Sequence, residues 1–284
     1  MKQAYLITAY DNFEHLKELI HTLDCQDVYF YLYIDAKVSI PDYISALRTA
    51  NSICILHDMR VEWGHQSQII TELDLFAKAL ENPDIEWFHL ISGTDFPLKS
   101  VEQINEFYQQ ASDVDCFMET EPLPAHLKDR MELYHFFVNR ANNQKPITRY
   151  LERKLLALQI RLGLRRKGPK GLPYMYGSNW VDLRRNAVEY LLSRRKKIIR
   201  YTKFTSIANE VYKQTFLRDT DFRIVNDNFR YIDWSACAPS PKSLTEEDFQ
   251  AIINSGKLFA RKFNTPESAP LRQRIINHIH DPKQ

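Results

Sequence analysis

The sequence predicts an α/β fold: a mixed, mainly parallel sheet flanked by helices, with an elaborated C-terminal half. Three observations carry that reading. Short runs of β-branched and aromatic residues alternate with segments of helical periodicity from residue 4 to residue 119. Hydrophobic residues make up 44% of the 284 and charged residues 26%, so one sizeable core can be buried. Those proportions exclude a disordered chain, a collagen-like rod and a coiled coil. Strand–helix alternation of this kind builds parallel sheets through crossover connections.

The elements follow in order. Residues 4–9 (AYLITA) read as a buried strand, and 12–23 as a helix with apolar residues at helical spacing. Residues 28–34 (VYFYLYI) read as a strand, 41–50 as a short helix and 52–56 as a short strand. Residues 66–80 form an amphipathic helix with Ile69, Leu73, Phe76, Ala77 and Leu80 on one face. A strand at 87–91, a helix at 101–110 and a strand at 116–119 complete the alternating part. In the second half, 152–164 reads as a basic amphipathic helix, and 184–197 and 206–217 as further helices. Residues 245–254 form a short helix with Thr245 as N-cap and acids behind it. Residues 258–263 (LFARKF) read as a strand. No Pro/Gly/Ser linker, repeat or low-complexity stretch divides the chain. One domain over 1–284 is expected, with an α/β half (1–120) and a less regular half (121–284).

The net charge of +2 is unevenly spread. Residues 149–203 hold 16 Lys+Arg against Glu152, Asp182 and Glu189, a net of +13, which leaves 2 − 13 = −11 for the rest. Such asymmetry suits either a solvated helix face or a basic face meeting phosphate, nucleic acid or anionic lipid. Only 7 glycines are present, against a Gly-rich phosphate loop. Cys25, Cys54, Cys116 and Cys237 are scattered without metal-ligand spacing, so buried reduced thiols are expected. Residues 1–9 run straight into a strand, and no stretch approaches about 18 apolar residues. A cytoplasmic location is expected, with peripheral contact to the inner face of a membrane through the basic region.

Ligands of open α/β sheets bind beyond the carboxyl ends of the strands, which directs attention to 10–12, 35–37, 59–64 and 92–96. In Ser92-Gly93-Thr94-Asp95, an Asp at a strand end beside a close-approach Gly offers a polar ligand contact or an Asx-type turn. Two Asp-x-Asp pairs, Asp113/Asp115 and Asp219/Asp221, match the oxygen chemistry of a hard cation, but both sit where turns and caps are expected. Glu210 reads in isolation as a first-turn acid of the helix at 206–217, with Ser206 as its cap. No H-E-x-x-H spacing and no G-x-S-x-G elbow occurs.

Eight segments taken together carry a resemblance. They are AYLITAYDNFEHLKELIHTLD (4–24), YLYIDAK (31–37), VEWGHQSQIITEL (61–73), WFHLISGTDFPLKS (87–100), YGSNWVDLRR (176–185), SIANEVYKQTFL (206–217), NDNFRYIDW (226–234) and LFARKF (258–263). In order and over nearly the whole chain, they resemble the Core-2/I-branching β-1,6-N-acetylglucosaminyltransferase and peptide O-xylosyltransferase family in a compact bacterial form. The resemblance implies a GT-A-like fold whose residues 1–120 hold the nucleotide sugar and whose residues 121–284 hold acceptor and catalyst. It implies inverting transfer of GlcNAc, xylose, glucose or galactose from a UDP-sugar to a glycan hydroxyl, with no metal or other cofactor. It makes Glu210 the general base, and Lys262, with Lys242, the cations facing the diphosphate; Arg261 is a further donor-site candidate as a basic neighbour near the C-terminus. Ala9 and Asp35 would hold the uridine, and Trp63, Gly64 and Asp95 would line the donor pocket. Trp180 and Trp234 would shape the acceptor side, or pack in the core. Tyr10 and Asn209 depart from the family's usual His and Asp. The implied setting is a bacterial cytosol and surface-polysaccharide or lipopolysaccharide assembly on a glycan or lipid-linked acceptor. The alternatives are a non-catalytic protein that binds glycan, nucleic acid or anionic membrane through residues 149–203, and a metal-dependent transferase using Asp113 and Asp115.

Overall fold

A computed structural model describes residues 1–137, 145–169, 171–235, 240–264 and 266–280. The chain forms two compact units, each discontinuous in sequence, rather than an early and a late half. Elements are numbered along the chain. The first unit, Met1–His57 with Asp84–Asp113 and Asn228–Gln284, holds β1 (Lys2–Ala9), α1 (Phe13–Leu23), β2 (Val28–Ile34), α2 (Asp42–Ser45) and β3 (Cys54–Leu56). It continues with β4 (Ile85–Ser92), β5 (Phe96–Pro97), α4 (Val101–Gln110), β11 (Arg230–Ile232), α10 (Phe249–Asn254), β12 (Phe259–Arg261) and α11 (Ala269–His280). The second unit, Asp58–Pro83 with Val114–Asp227, holds α3 (Gln66–Leu80), β6 (Cys116–Phe117), β7 (Glu121–Pro122), α5 (Lys128–Glu132) and α6 (Pro146–Arg161). β8 (Met175–Tyr176), β9 (Val181–Arg184), α7 (Arg185–Ser193), α8 (Arg195–Thr202), α9 (Tyr212–Arg218) and β10 (Ile224–Val225) complete it.

In the first unit β4, β1, β2 and β3 lie side by side in that order, all parallel, as the alternating pattern predicts. Ile7 of β1 faces Leu32 of β2 and Ile91 of β4, and all three are fully buried. Strands covered on both faces need continuous apolar runs, and each such side chain contributes about 1.5–3 kcal/mol relative to exposure. α1 turns Leu16, Leu19, Ile20 and Leu23 into the core. α4 starts at a capping box between Ser100 and Gln103, and its Tyr108 lies 4.9 Å from the Trp87 ring and 4.6 Å from His89. The helix expected over 41–50 is a single turn. The Asp24 carboxylate accepts the Ala50 N–H at 3.0 Å and Asn51 donates to the Val28 carbonyl at 2.8 Å, which draws the chain out of helical geometry. A smaller sheet runs β11-β12-β5. The strand expected over 258–263 is confined to Phe259–Arg261. Thr245 does head a short helix, its N–H donating to the Asp248 carboxylate at 2.9 Å.

In the second unit β6 pairs parallel with β10 and antiparallel with β9. The strand expected over 116–119 stops at Phe117. The helix expected over 184–197 breaks at Arg194 (φ −98°, ψ 3°) into α7 and α8. The helix expected over 206–217 breaks at Val211 (φ −126°, ψ −37°). A 3-10 turn, Ala208–Glu210, precedes that break and α9 follows it. No side chain caps either piece, so Ser206 is not the cap that the sequence suggests. α6 begins at Pro146 rather than at residue 152, with proline tolerated in the first turn because its missing N–H has no helical partner there. Of the cysteines, Cys25, Cys54 and Cys116 are free thiols, but only Cys116 is buried. Cys237 lies outside the described residues.

One buried polar network ties the second unit together. Lys213 of α9 has no exposed side chain, and its ammonium donates to Glu72 of α3 at 2.7 Å and to Asn179 at 2.8 Å. It also donates to the Asn209 carbonyl at 3.1 Å. Glu72 accepts further from Asn179 at 2.8 Å and from the Tyr212 hydroxyl at 2.9 Å. Burial pushes the Lys213 ammonium down from its usual value, and Glu72 opposes that shift. Ionised groups inside a protein persist only when so completely paired.

Two outcomes follow from this packing. Lys213→Met strands the Glu72 carboxylate and lowers unfolding free energy by about 3–5 kcal/mol in urea titration. Glu72→Gln combined with Lys213→Met costs less than the sum of the two single changes; strict additivity would show that the pair is not coupled. His15 of α1 is fully buried, with Nε2 2.9 Å from the Asp95 carbonyl and its ring stacked 5.8 Å from Phe263. Burial, helped by nearby Arg272, pushes its pKa from the usual 6.5 down to about 4. The folded pKa is depressed, so stability is full above pH 6.5 and falls as pH drops toward 4, by about 3 kcal/mol. His15→Gln removes that slope between these limits. Parallel pH–stability curves for the two proteins would assign the slope elsewhere.

Candidate functional site

The carboxyl ends of β1, β2 and β4 converge in the first unit. The Asp35 N–H donates to the Ala9 carbonyl at 3.0 Å, and the Gly93 N–H to the Thr8 carbonyl at 2.8 Å. A Cβ on Gly93 would lie 2.9 Å from the Ala9 Cβ, so only glycine lets these strand ends approach. The segment after β12 joins them: the Phe263 N–H donates to the Thr94 carbonyl at 2.9 Å, and Asn12 to the Phe263 carbonyl at 3.3 Å. Asn12 occupies the left-handed region at φ 56°, which asparagine tolerates. The backbone thus gathers Ala9, Asp35, Asp95, Arg261 and Lys262.

Asp95 has no exposed surface. It accepts the Ser92 N–H at 3.0 Å and sits 3.6 Å from the Arg261 guanidinium. Burial pushes its carboxyl up, while Arg261, the Ser92 N–H and Arg230 pull the other way. Its carboxylate faces Arg261, one of the cations expected at the diphosphate. Lys262 follows Arg261 and acts electrostatically on Asp11, whose carboxyl is pushed up by partial burial and drawn down by that ammonium. Asp35 closes a turn on itself, accepting the Lys37 N–H at 2.9 Å with the Lys37 ammonium 3.4 Å away. Lys242 enters from the neighbouring segment, where the Leu244 N–H donates to the Lys262 carbonyl at 2.9 Å. Its charge is already met by Asp248 at 2.7 Å and Asp233 at 3.9 Å. Arg261 with Asp95 beside it, Lys262, and Lys242 are thus the candidates for an anionic ligand in this unit. Trp234 is 55% exposed and so is not core packing.

The second unit carries Glu210. Its half-buried carboxylate accepts a hydrogen bond from the Tyr176 hydroxyl. Burial and that carboxylate together push the Tyr176 hydroxyl up to about 12. The Glu210 carbonyl accepts the Gly177 N–H at 3.0 Å. A Cβ on Gly177 would fall 1.9 Å from the Glu119 carbonyl oxygen, so the glycine is obligatory. Gln214 of α9 donates to the Ser178 carbonyl at 2.7 Å, which clamps residues 175–178 against the segment bearing Glu210. Lys213, one turn on, attracts Glu210 electrostatically. The 3-10 turn and the break at Val211 put Glu210 outside the helix, so it does not serve as a first-turn acid of α9.

Trp63 and Gly64 precede α3. Gly64 takes φ 70° and donates to the Gln68 side chain at 2.7 Å, and this turn leaves Trp63 78% exposed. Trp180 follows Asn179 and is half-buried. Asp115 is committed to structure, accepting from Asn186 at 2.6 Å and from the Arg223 N–H at 2.9 Å, which ties distant segments together rather than closing the local turn expected of it. Among the described residues, no group of three or more His, Cys, Asp or Glu is arranged to hold a metal ion. No helix of those residues is long and apolar enough to cross a membrane. Sequence reasoning missed Glu72, Lys213, Asn179 and Tyr176. The signal for two of them was available: Glu72 lies on the apolar face of its helix, and Lys213 interrupts an otherwise uncharged run from 211 to 217.

The chain is 25% identical over 297 positions to xylosyltransferase 1 of Pan troglodytes, covering 93% of this chain and 29% of that protein. It is 22% identical over 307 positions to xylosyltransferase 2 of Canis lupus familiaris, covering 98% of this chain and 33% of that protein. The chain thus spans about a third of the length of the curated relatives it matches. A crystal structure of a glycosyltransferase involved in glycosylation of the major capsid of PBCV-1 superimposes with a TM-score of 0.42 at 10% identity, covering 99% of each chain. The sequence pattern of the Core-2/I-Branching enzyme family matches residues 3–253, and the chain belongs to that family.

Proposed function

We propose that this chain is an inverting glycosyltransferase that moves a sugar from a UDP-sugar to a glycan hydroxyl, with Glu210 as general base. The observation that carries the reading is the placement of Glu210: a half-buried carboxylate, lifted out of the helix, oriented by Tyr176 and fixed by the Lys213 network beneath it. Family membership and the xylosyltransferase relatives support the reaction class.

In the proposed step, the acceptor oxygen forms a bond to the anomeric carbon from the face opposite UDP. Its proton passes to Glu210, and the sugar–phosphate bond breaks with its electron pair leaving on UDP. Arg261, steadied by Asp95, and Lys262 stabilise the charge that grows on the diphosphate, the role a divalent cation fills in other transferases. Ala9 and Asp35 hold the nucleoside, and the exposed faces of Trp63 and Trp234 suit the apolar C–H faces of sugars. Xylose and GlcNAc are the leading donors, with glucose and galactose next. The acceptor fits surface-polysaccharide assembly in a bacterial cell.

UDP release from these four donors in EDTA tests the reading directly. Turnover of one donor is expected, with kcat lowered about 10²–10⁴-fold in Glu210→Gln and KM little changed. Lys262→Met is expected to lower kcat/KM about 10–100-fold. Tyr176→Phe removes a donor to the ionised carboxylate, so the acid limb of the kcat/KM profile moves to higher pH. Full turnover in Glu210→Gln would remove this residue as the base, and activity abolished by EDTA would require a metal.

A further inference from the structure

α6 buries polar side chains and leaves aliphatic ones exposed among cations. Its inward side is polar: Thr148, Glu152 and Gln159 are its buried residues. Glu152 lies 3.2 Å from His135, and Gln159 bonds both the N–H and the carbonyl of Tyr134 at 2.8 and 3.0 Å. Opposite that set lie the exposed Tyr150, Arg153, Lys154, Ala157 and Arg161, and apolar side chains flank this basic ridge. Ile147, Leu151, Leu158, Ile160, Leu162 and Leu164 are each between 44% and 61% exposed, and they are all the exposed large aliphatic side chains among the described residues. Ile147, Leu151 and Leu158 stand at i, i+4 and i+11, which is one stripe of a helix. Lys154 and Arg161 lie beside that stripe, where long aliphatic stems can cover apolar surface while the charged heads reach a polar boundary. Arg149 and Arg153, with Pro146 and Tyr150, line a hollow of about 290 Å³ on the same helix. Between 145 and 167 there are 8 Lys+Arg against Glu152 alone, and that carboxylate is buried.

We propose that α6 and the residues through 164 lie on an anionic lipid surface, with the leucine and isoleucine side chains in the acyl boundary and the arginine and lysine heads among the phosphates. Charge decides between the occupants. A second copy would set one strongly basic face against another. A nucleic acid would meet the cations but leave six aliphatic side chains in water. Only an anionic bilayer takes both sets of groups at once. The inference uses no feature of Glu210 or of the cations at Arg261 and Lys262, so it stands or falls apart from the proposed transfer reaction.

The test is co-sedimentation of the full chain with vesicles of phosphatidylcholine alone, or of three parts phosphatidylcholine to one part phosphatidylglycerol. Binding is expected to the anionic vesicles and to weaken as salt rises. Leu151→Glu with Leu158→Glu changes only exposed positions, so native circular dichroism is retained while vesicle binding drops about tenfold or more. Arg153→Gln with Lys154→Gln and Arg161→Gln is expected to erase the preference for anionic lipid. A wild-type protein left in the supernatant with anionic vesicles at low salt overturns the proposal, as does a leucine variant that binds undiminished. A dimer dissolved by the leucine variant, or salt-sensitive binding to duplex DNA, in a protein that ignores vesicles would overturn it and assign the face to that partner.

Discussion

A lysine ammonium with no exposed surface dictates much of the second unit. Removing Lys213 from water is expensive, and the cost is offset only while Glu72, Asn179 and the Asn209 carbonyl hold their positions around it. Those partners come from a helix, a loop and a 3-10 turn far apart in sequence. Each must be correctly placed for the charge to be tolerated, so the network specifies one arrangement more sharply than apolar packing would. Glu210 inherits that rigidity: it ends the turn whose Asn209 carbonyl Lys213 grips, and its own carbonyl is held by Gly177. A carboxylate meant to meet a substrate can be half-exposed and still well positioned when its backbone is anchored in this way.

The first unit solves a different problem with the same economy of parts. Parallel strands end together, and their carboxyl ends leave a rim where irregular backbone can reach solvent. Here the rim is drawn tight by the absence of a side chain at Gly93, and the chain after β12 is stitched onto it through Thr94 and Asn12. Asp95 then works from inside the core, its buried carboxylate setting the place of Arg261.

α6 breaks the usual partition of side chains in part: polar groups go inward, while aliphatic ones share the exposed surface with arginine and lysine. Its buried Gln159 is satisfied by the backbone of Tyr134, and its buried Glu152 has His135 3.2 Å away. What remains outside is a surface that water alone does not suit. Basic composition over 149–203 flagged this region in the sequence, but composition cannot distinguish a solvated helix from an apolar one with cations at its margin. The direction in which each side chain points settles that difference.

Amino-acid order alone makes the α/β class legible, because continuous apolar runs such as 28–34 can be satisfied only between layers, and amphipathic periods such as 66–80 only on a sheet or another helix. It also determined the family, through eight segments in order, and it marked Glu210, Arg261 and Lys262. Tertiary structure alone decided the rest. Periodicity is continuous through 184–197 and 206–217, yet both break, since local propensity is weak beside long-range bonds such as those of Lys213. The single turn at 42–45 yields likewise to Asp24 and Asn51. Charge state and exposure belong to the same class of fact. Whether Asp95 supports or contacts, whether Lys242 is available or already paired, and which face of α6 meets water depend on neighbours brought from distant positions. No spacing along the chain encodes them.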